Sequence, residues 1–376
     1  MLSILAIMSF ASLGKIVTFI VMLSILVVLH EYGHFIVARR NGVKVNEFAL
    51  GMGPKLFGWT SPRSGTLYSL RALPIGGYCA MEGEDNKTTE SEQQREFRES
   101  GARSQVNFQA KTPWQRLAIV VAGPVANFIL AYAILLIGAL AFGIPSDKIF
   151  ATDILAGSPA ATHGLQAGDR IVSVRAGGND VSDSDKLVDA IHHSLNKPIA
   201  VTYERAGASH TVEVTPVACP TDPKSGCIGF HTQKQFERVG VGAAIAFSGS
   251  EFVAIADQTF SSLALLVTKF TKYAGQVSGV IGMGQAAGVI QDFGWGPYFT
   301  LAATISFALG VFNLLPFPAL DGGRAAFIIA ELLRGKPVDP EKEALVHIAG
   351  FAALMALMLV VAFHDIARIV SGQGVF

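Results

Sequence analysis

Long apolar runs alternate with polar stretches along this 376-residue chain. Four of the runs are long enough to cross a hydrocarbon core of about 30 Å as α-helices. We predict transmembrane spans at residues 16–38, 117–142, 297–315 and 346–363. A fifth apolar stretch, 239–268, is interrupted by Glu251 and Asp257. We therefore expect it to form helices that lie on or near the outer membrane surface.

Basic residues indicate which ends of the spans face the cytoplasm. Lys and Arg are frequent between the first two spans and in the short connection between the last two. Both connections should be cytoplasmic under the positive-inside rule, which leaves both termini and residues 143–295 outside. The N-terminus lacks a basic start and a small-residue cleavage site, so we interpret it as a retained anchor.

Composition supports a membrane protein and excludes one class of partner. Apolar residues make up 51% of the chain and charged residues 15%, whereas soluble domains carry about 25% charged residues. The lipid bilayer is therefore an expected partner. The formal net charge is zero and no basic tail is present, so nucleic acid is not an expected ligand.

Two regions outside the spans are expected to contain β-structure. Residues 41–85 show short alternating runs punctuated by glycine, which predict strands and hairpins that contact or dip into the membrane. An exposed strand edge around 66–80 could accept an unwound substrate by strand addition; the alternative is a small sheet on the cytoplasmic surface. Residues 82–112 predict a polar loop, and 150–217 a compact β-rich domain outside.

His30, Glu31 and His34 form the motif H-E-x-x-H inside the first span. Histidines four residues apart lie on one helix face and can share a metal ion, and the intervening Glu can act as general base on metal-bound water. Ionisable residues within a span are costly and usually functional. The alternative is a polar patch that is buried between helices or bound to haem.

Asp321 follows the third span in the segment NLLPFPALDGGR. Pro316 and Pro318 cannot continue a helix, so residues 313–321 should be partly extended at the cytoplasmic end. Spans one and three run in the same direction, which brings Asp321 to the same side of the membrane as the histidines. We predict that it is the third protein ligand of the metal ion; the alternative is a plain Asp–Gly turn.

The three cysteines separate by predicted compartment. Cys219 and Cys227 are both outside and bracket a short turn, so they form either a disulfide or two unpaired thiols. Cys79 faces the reducing side and is expected to be inert.

Together, these residues resemble the site-2 protease family of intramembrane zinc metalloproteases, in particular its bacterial RseP-like regulators. The resemblance covers most of the chain in order. It rests on HEYGHFIVARRNGVKVNEFALGMGP, LRALPIGGYCAMEGED, AGPVAN, GLQAGDRIVSV and NLLPFPALDGGR.

The resemblance implies a polytopic α-helical membrane protein with a membrane-associated β-hairpin region and one inserted extracytoplasmic PDZ domain. The implied zinc ligands are His30, His34 and Asp321, with Glu31 as base, and Asn313 and Asn127 would hold substrate. Substrates would be single-pass proteins of the bacterial inner membrane, such as anti-sigma factors or signal-peptide remnants; the PDZ ligand is not implied. Four parts are expected along the chain. They are a catalytic membrane half at 1–142, the PDZ domain at 145–232, surface-lying helices with a linker at 233–295 and a C-terminal membrane half at 296–376.

Two departures from the family pattern and two rival functions accompany this interpretation. There is room for one PDZ domain where many relatives have two, and Val280 stands where relatives commonly have proline. A membrane zinc transporter or metal sensor would also place His and Asp in spans, but it predicts ligands at several depths. A catalytically idle PDZ scaffold is disfavoured because Glu31 is intact.

Overall fold

The computed structural model describes residues 10–84, 105–219, 222–269 and 278–371. The chain divides into two compact units. One comprises Met1–Gly138 and Ile245–Phe376, and the other comprises Ala139–Ala244. The predicted polar loop falls largely on residues 85–104, which lie outside the described part of the chain.

Long apolar helices dominate the first unit. Its elements and those at its borders are α1 (Phe10–Arg40), β1 (Val45–Thr60), β2 (Leu67–Met81), α2 (Pro113–Phe142), α5 (Val241–Thr268), α6 (Val280–Asp292), α7 (Trp295–Leu314), α8 (Asp321–Arg334) and α9 (Pro340–Val370). The predicted spans therefore correspond to α1, α2, α7 and α9. Helix α1 ends on Arg39 and Arg40, whose positive charges suit a helix C-terminus.

Within the described residues, five helices are long and apolar enough to cross a membrane, where we predicted four. The additional one is α5, which is continuous across Glu251 and Asp257. We expected more than one helix in this stretch, and the structure has a single continuous helix. The middle of α5 packs against α2 and α7, since Ile255, Leu135 and Phe307 belong to one apolar cluster.

The last span is attached to its neighbours by polar contacts near both ends. Asp365 accepts hydrogen bonds from the main-chain N–H groups of Gly279 and Gly282, at 3.0 and 2.9 Å. It thereby supplies the cap that α6 lacks from its own N-terminal residue. Nearer the start of α9, Nδ1 of His347 accepts a hydrogen bond of 3.0 Å from the main-chain N–H of Ala319.

Strands β1 and β2 form an antiparallel hairpin whose bulges divide it into four segments. Residues 47–50 lie in the middle, paired with 77–80 on one side and with 67–70 on the other, and 57–60 extend the sheet beyond 67–70. Glu47 holds three of these segments together because it accepts hydrogen bonds from Ser69, Arg71 and Tyr78. The prediction of strands in this region is confirmed.

The second unit is a β-sheet domain with short helices. Its sheet follows the order β10–β3–β4–β6–β7, with β5 paired to β4. The elements are β3 (Ile144–Ile154), α3 (Pro159–Thr162), β4 (Arg170–Ala176), β5 (Asn179–Val181), α4 (Ser184–His192), β6 (Ile199–Arg205), β7 (Ala208–Val214), β8 (Val217–Ala218), β9 (Gly226–Cys227) and β10 (Phe230–Glu237).

This domain has its own apolar core, formed by one face of the sheet and by α4. Val174, Val201 and Leu187 are among its buried members. The sheet includes the strand and hairpin predicted for 150–217 and adds β3 and β10, which pair with each other. Of the two alternatives for the outer cysteines, the structure has the disulfide between Cys219 and Cys227.

Candidate metal centre

His30 and His34 lie one turn apart on α1 and face the interior of the helical unit. They are 7% and 6% exposed, and their Nε2 atoms are 3.3 Å apart. A straight helix brings residues i and i+4 to the same face, so the spacing alone explains why both rings point to one place.

Asp321 meets these two histidines from the other end of the chain. It is the first residue of α8, and its Oδ2 lies 3.1 Å from Nε2 of His30 and 3.2 Å from Nε2 of His34. Helix α7 ends at Leu314 and the chain is extended at Leu315. The predicted break before Asp321 is therefore confirmed, except that Asn313 still belongs to the helix.

The turn before Asp321 is compact because glycines follow it. A Cβ added to Gly322 would overlap main-chain atoms of Leu314 and Leu315, and one on Gly323 would overlap those of Phe317. Ala319 adopts a φ of +77°, which is uncommon for a residue with a side chain. The sequence ALDGG thus folds tightly enough to present the Asp321 carboxylate to α1.

The donor set fits a zinc ion. Ligand atoms at about 2.0–2.1 Å from a tetrahedral zinc are about 3.3 Å from one another, and the three atoms here are separated by 3.1, 3.2 and 3.3 Å. Oδ2 of Asp321 is also buried without a hydrogen-bond donor. A buried carboxylate oxygen needs compensation, which a cation held between it and the imidazoles would provide.

The outer nitrogen of each imidazole has a partner on α2. Nδ1 of His34 lies 2.8 Å from the main-chain oxygen of Ile119, and Nδ1 of His30 lies 3.2 Å from the side-chain amide of Asn127. These contacts fix the planes of both rings. Sequence reasoning did not find Ile119, because a main-chain acceptor leaves no signal in residue type.

Glycines allow α1 and α2 to approach closely at the site. A Cβ on Gly33 would overlap the main-chain oxygen of Ala122, and one on Gly123 would overlap the ring of His34. The small residues of the segment AGPVAN were the available signal for this contact. Their packing role was one of the alternatives the sequence offered.

Glu31 follows His30 on α1 and lies beside the hairpin. A Cβ built on Gly77 would be 3.7 Å from Cγ of Glu31, so the carboxylate side chain borders segment 77–80 of β2. Glu31 is also close enough to His30, His34 and Asp321 to interact with them electrostatically. A carboxylate here can exchange a proton with a group bound at the three ligands.

Comparison with known proteins decides what kind of molecule carries this arrangement. The model of peptidase family M50 matches residues 18–357, a range that begins in α1, ends in α9 and includes all three candidate ligands. The chain belongs to peptidase family M50. The expected resemblance to zinc metalloproteases is confirmed, and this M50 peptidase is an enzyme.

Relatives similar to this M50 peptidase match it over almost their full lengths. Zinc metalloprotease RasP of Bacillus licheniformis is 32% identical, over 95% of this chain and 100% of the relative. Regulator of sigma-W protease RasP of Bacillus subtilis is also 32% identical, over 95% and 99%. A putative zinc metalloprotease of Clostridium acetobutylicum is 35% identical, over 94% and 98%.

One solved structure aligns with part of this M50 peptidase. It is the PDZ domain of an SdrC-like protein from Listeria monocytogenes, which covers 24% of this chain and 90% of its own at 22% identity. The TM-score is 0.21.

The two asparagines expected to hold substrate lie in different surroundings. Asn127 is fully buried and contacts His30. Asn313 is partly buried near the end of α7, where its side chain donates a hydrogen bond of 2.9 Å to the main-chain oxygen of Leu309.

Proposed function

We propose that this M50 peptidase binds zinc through His30, His34 and Asp321 and hydrolyses peptide bonds in transmembrane segments of single-pass proteins. The observation that carries the proposal is the triangle of ligand atoms, with sides of 3.1–3.3 Å, beside a carboxylate at Glu31. Two imidazoles and one carboxylate leave a fourth position open, as in other catalytic zinc sites.

The chemistry follows from these groups. His30, His34 and Asp321 would hold the zinc ion, which would supply Lewis acidity toward the scissile carbonyl and toward the attacking water. Glu31 acts as the general base that takes a proton from the attacking water, and it then delivers the proton to the leaving amine. His30, His34 and Asp321 stay rigid in this step because each is held by an element of the helical unit.

The unpaired edge of the hairpin supports the proposal that the substrate binds in an extended, unwound conformation. The open edge expected around 66–80 is wrong for 67–70, which is paired on both sides. Among the described strands, segment 77–80 pairs with 47–50 on one side only, and it borders Glu31. A peptide bond in a helix is shielded by its own hydrogen bonds. Adding the substrate as a further strand would replace those bonds and hold its carbonyls near the metal ligands. Asn313, at the end of α7, would contact the same substrate.

The substrate class is drawn from a relative. The Bacillus subtilis protein is named a regulator of sigma-W protease. By analogy, we infer that this enzyme cleaves anti-sigma factors of the inner membrane, with signal-peptide remnants as a second class.

Helix packing supports the four-span topology, with both termini and the β-sheet domain outside. Early residues of α1, such as Phe19, pack with early residues of α7, such as Tyr298, and later His30 meets Asp321, so α1 and α7 are parallel. If α5 crossed fully, the chain would have to cross back through α6. With 13 residues, α6 is about 20 Å long, shorter than the hydrocarbon core of about 30 Å.

The rival transporter function would require further ligand groups along an ion path. Among the described residues, only one other group of three could hold a metal ion, His192 with Cys219 and Cys227. Its two cysteines are joined in a disulfide. This favours the protease.

The test replaces Glu31 by Gln in the purified full-length protein. We expect E31Q to lose cleavage of a reporter transmembrane segment while it keeps one zinc ion and its fold. Tyr32→Phe is the matched control, since Tyr32 is an exposed neighbour on the same helix. Cleavage by E31Q at the wild-type rate would overturn the assigned base, and zinc uptake into liposomes by either protein would favour the transporter.

A further inference from the structure

We infer that Asn127 is a positioning residue for zinc binding: its side-chain oxygen accepts the Nδ1 proton of His30, which leaves the Nε2 lone pair of His30 directed at the metal position. The inference rests on the proposed function, because it assigns a role in holding the zinc ion to a residue outside the ligand set.

The contact itself is close and fully buried. The amide nitrogen of Asn127 lies 3.2 Å from Nδ1 of His30, and Asn127 is 0% exposed. The amide oxygen is also buried, and it has no hydrogen-bond partner. The side chain is enclosed and contacts a proposed zinc ligand, so the role inferred here replaces the substrate contact that the family resemblance implied for Asn127.

The two ends of the amide have the same shape, and the chemistry of the imidazole decides between them. If the nitrogen faced Nδ1, it would donate to it, and the ring proton would be on Nε2, where it would block a metal ion. If the oxygen faces Nδ1, it accepts that proton, and Nε2 is free to bind. Either orientation leaves one amide atom without a partner. The two orientations are therefore distinguished only by the requirement that Nε2 of His30 be unprotonated to bind a metal ion.

His34 provides an internal comparison for this argument. Its Nδ1 lies 2.8 Å from the main-chain oxygen of Ile119, and a carbonyl oxygen can only accept. Nδ1 of His34 therefore carries the proton, and Nε2 faces Asp321. Metal-binding histidines almost always donate their other N–H in this way. Asn127 would give His30 the same tautomer that Ile119 gives His34.

The backbone at Asn127 is itself anchored. The hydroxyl of Ser306 on α7 donates a hydrogen bond of 2.9 Å to the main-chain oxygen of Asn127, and Ser306 is fully buried. Asn127 is therefore fixed between α1 and α7, the helix that leads to Asp321. This support would keep the amide within hydrogen-bond distance of His30 as the site fills.

The experiment measures zinc affinity of the metal-free full-length protein in detergent, by competition with a chromophoric chelator. Asn127→Leu keeps the size of the side chain but removes the acceptor, and we expect zinc binding to weaken about 10- to 100-fold. Asn127→Asp keeps an acceptor at the same position. Its zinc affinity should therefore stay within about threefold of wild type and exceed that of N127L. For N127L, activity should return at high free zinc with an unchanged KM.

Asn313→Leu is the matched control, because it removes an amide from a neighbouring helix that lies outside the ligand shell. It should leave zinc affinity unchanged and raise KM. Asp321→Asn calibrates the assay: if it did not weaken zinc binding, the proposed function would fail, whatever Asn127 does.

Two results would overturn the inference while the proposed function stands. One is wild-type zinc affinity in N127L together with a raised KM, which would return Asn127 to substrate binding. The other is an N127D protein as weak as N127L, which would mean that the amide acts through its nitrogen or through packing alone. If N127L does not fold, Asn127→Ala takes its place, with the same expected loss and the same comparison with N127D.

Discussion

Gly123 lies directly against the ring of His34, so closely that a single added carbon would overlap Nε2. The absence of a side chain on α2 therefore leaves the space that a ligand of α1 occupies. Because the ring cannot move without losing its contact with Ile119, the position is sensitive to the smallest substitution.

We predict that Gly123→Ala weakens zinc binding and lowers peptidase activity by at least about 10-fold, since ligand geometry is disturbed. Alanine is the better helix former by about 1 kcal/mol, so the loss cannot come from helix propensity. Gly249→Ala on α5 is the control, because a Cβ there meets nothing within 4 Å. Equal zinc affinity in G123A and wild type would contradict this account of the site.

Metal removal should abolish activity reversibly. We predict that a strong chelator stops cleavage of the reporter segment and that added Zn²⁺ restores it. Mg²⁺ should not, because it prefers six oxygen ligands and this site offers two imidazoles. Zinc content and cleavage rate are measured on the same samples. Restoration by Mg²⁺ alone would argue against a site built from His30 and His34.

The β-sheet domain contains an ion pair between a buried carboxylate, Asp169, and the partly exposed Arg205, which makes its stability depend on pH. Burial alone would raise the pKa of Asp169, but hydrogen bonds from Arg205 and from the main-chain N–H of Gln166 outweigh it and hold the pKa below its ordinary value of 3.8. The stabilisation is therefore complete above that ordinary value and is lost as the pH falls through the lowered pKa of the folded state.

We predict that Arg205→Met destabilises the domain at neutral pH, because it leaves the buried Asp169 carboxylate without its main donor. The partial exposure of Arg205 moderates this loss, because water screens part of the interaction. The stability of the variant domain should also change less than that of the wild type as the pH is lowered. Hydrogen exchange of β4 and β6 in the full chain measures both effects. Arg175→Met, from the exposed pair with Asp180, should change little.

The cysteines give a labelling pattern that checks the covalent structure. Burial raises the pKa of Cys79, and Cys219 is bonded to Cys227. Because a thiol reacts as the thiolate, a maleimide should label none of the three in the native protein. It should label one after denaturation and three after denaturation with reduction. Two or more labels in the unreduced chain would contradict the disulfide.

Local patterns predicted the long helices well, and they predicted which side chains the structure brings together at the candidate metal centre. Apolar runs predicted four of the long helices, and the spacing of His30 and His34 predicted that both side chains lie on one face of α1. Pro316 and Pro318 gave the end of α7. These features depend on residues within a few positions of one another, so periodicity and residue type are sufficient to find them.

Features that depend on distant packing were harder to predict. The continuity of α5 was not predicted, because Glu251 and Asp257 interrupt its apolar run, whereas its contact with Phe307 appears only in three dimensions. The central place of residues 47–50 in the hairpin sheet depends on a register that alternation does not specify. The contact between Asn127 and His30 joins residues far apart in sequence and needs the crossing of two helices.

The separation of the metal ligands along the chain has a consequence for biosynthesis. His30 and His34 emerge early from the ribosome, whereas Asp321 emerges only when most of the polypeptide has been made. If these three residues bind zinc, as we propose, the nascent chain has an incomplete ligand set and cannot assemble the full metal centre until Asp321 has been made. Once Asp321 arrives, a bound ion would cross-link the first and third spans, so that maturation of the protease and closure of its membrane fold become a single event.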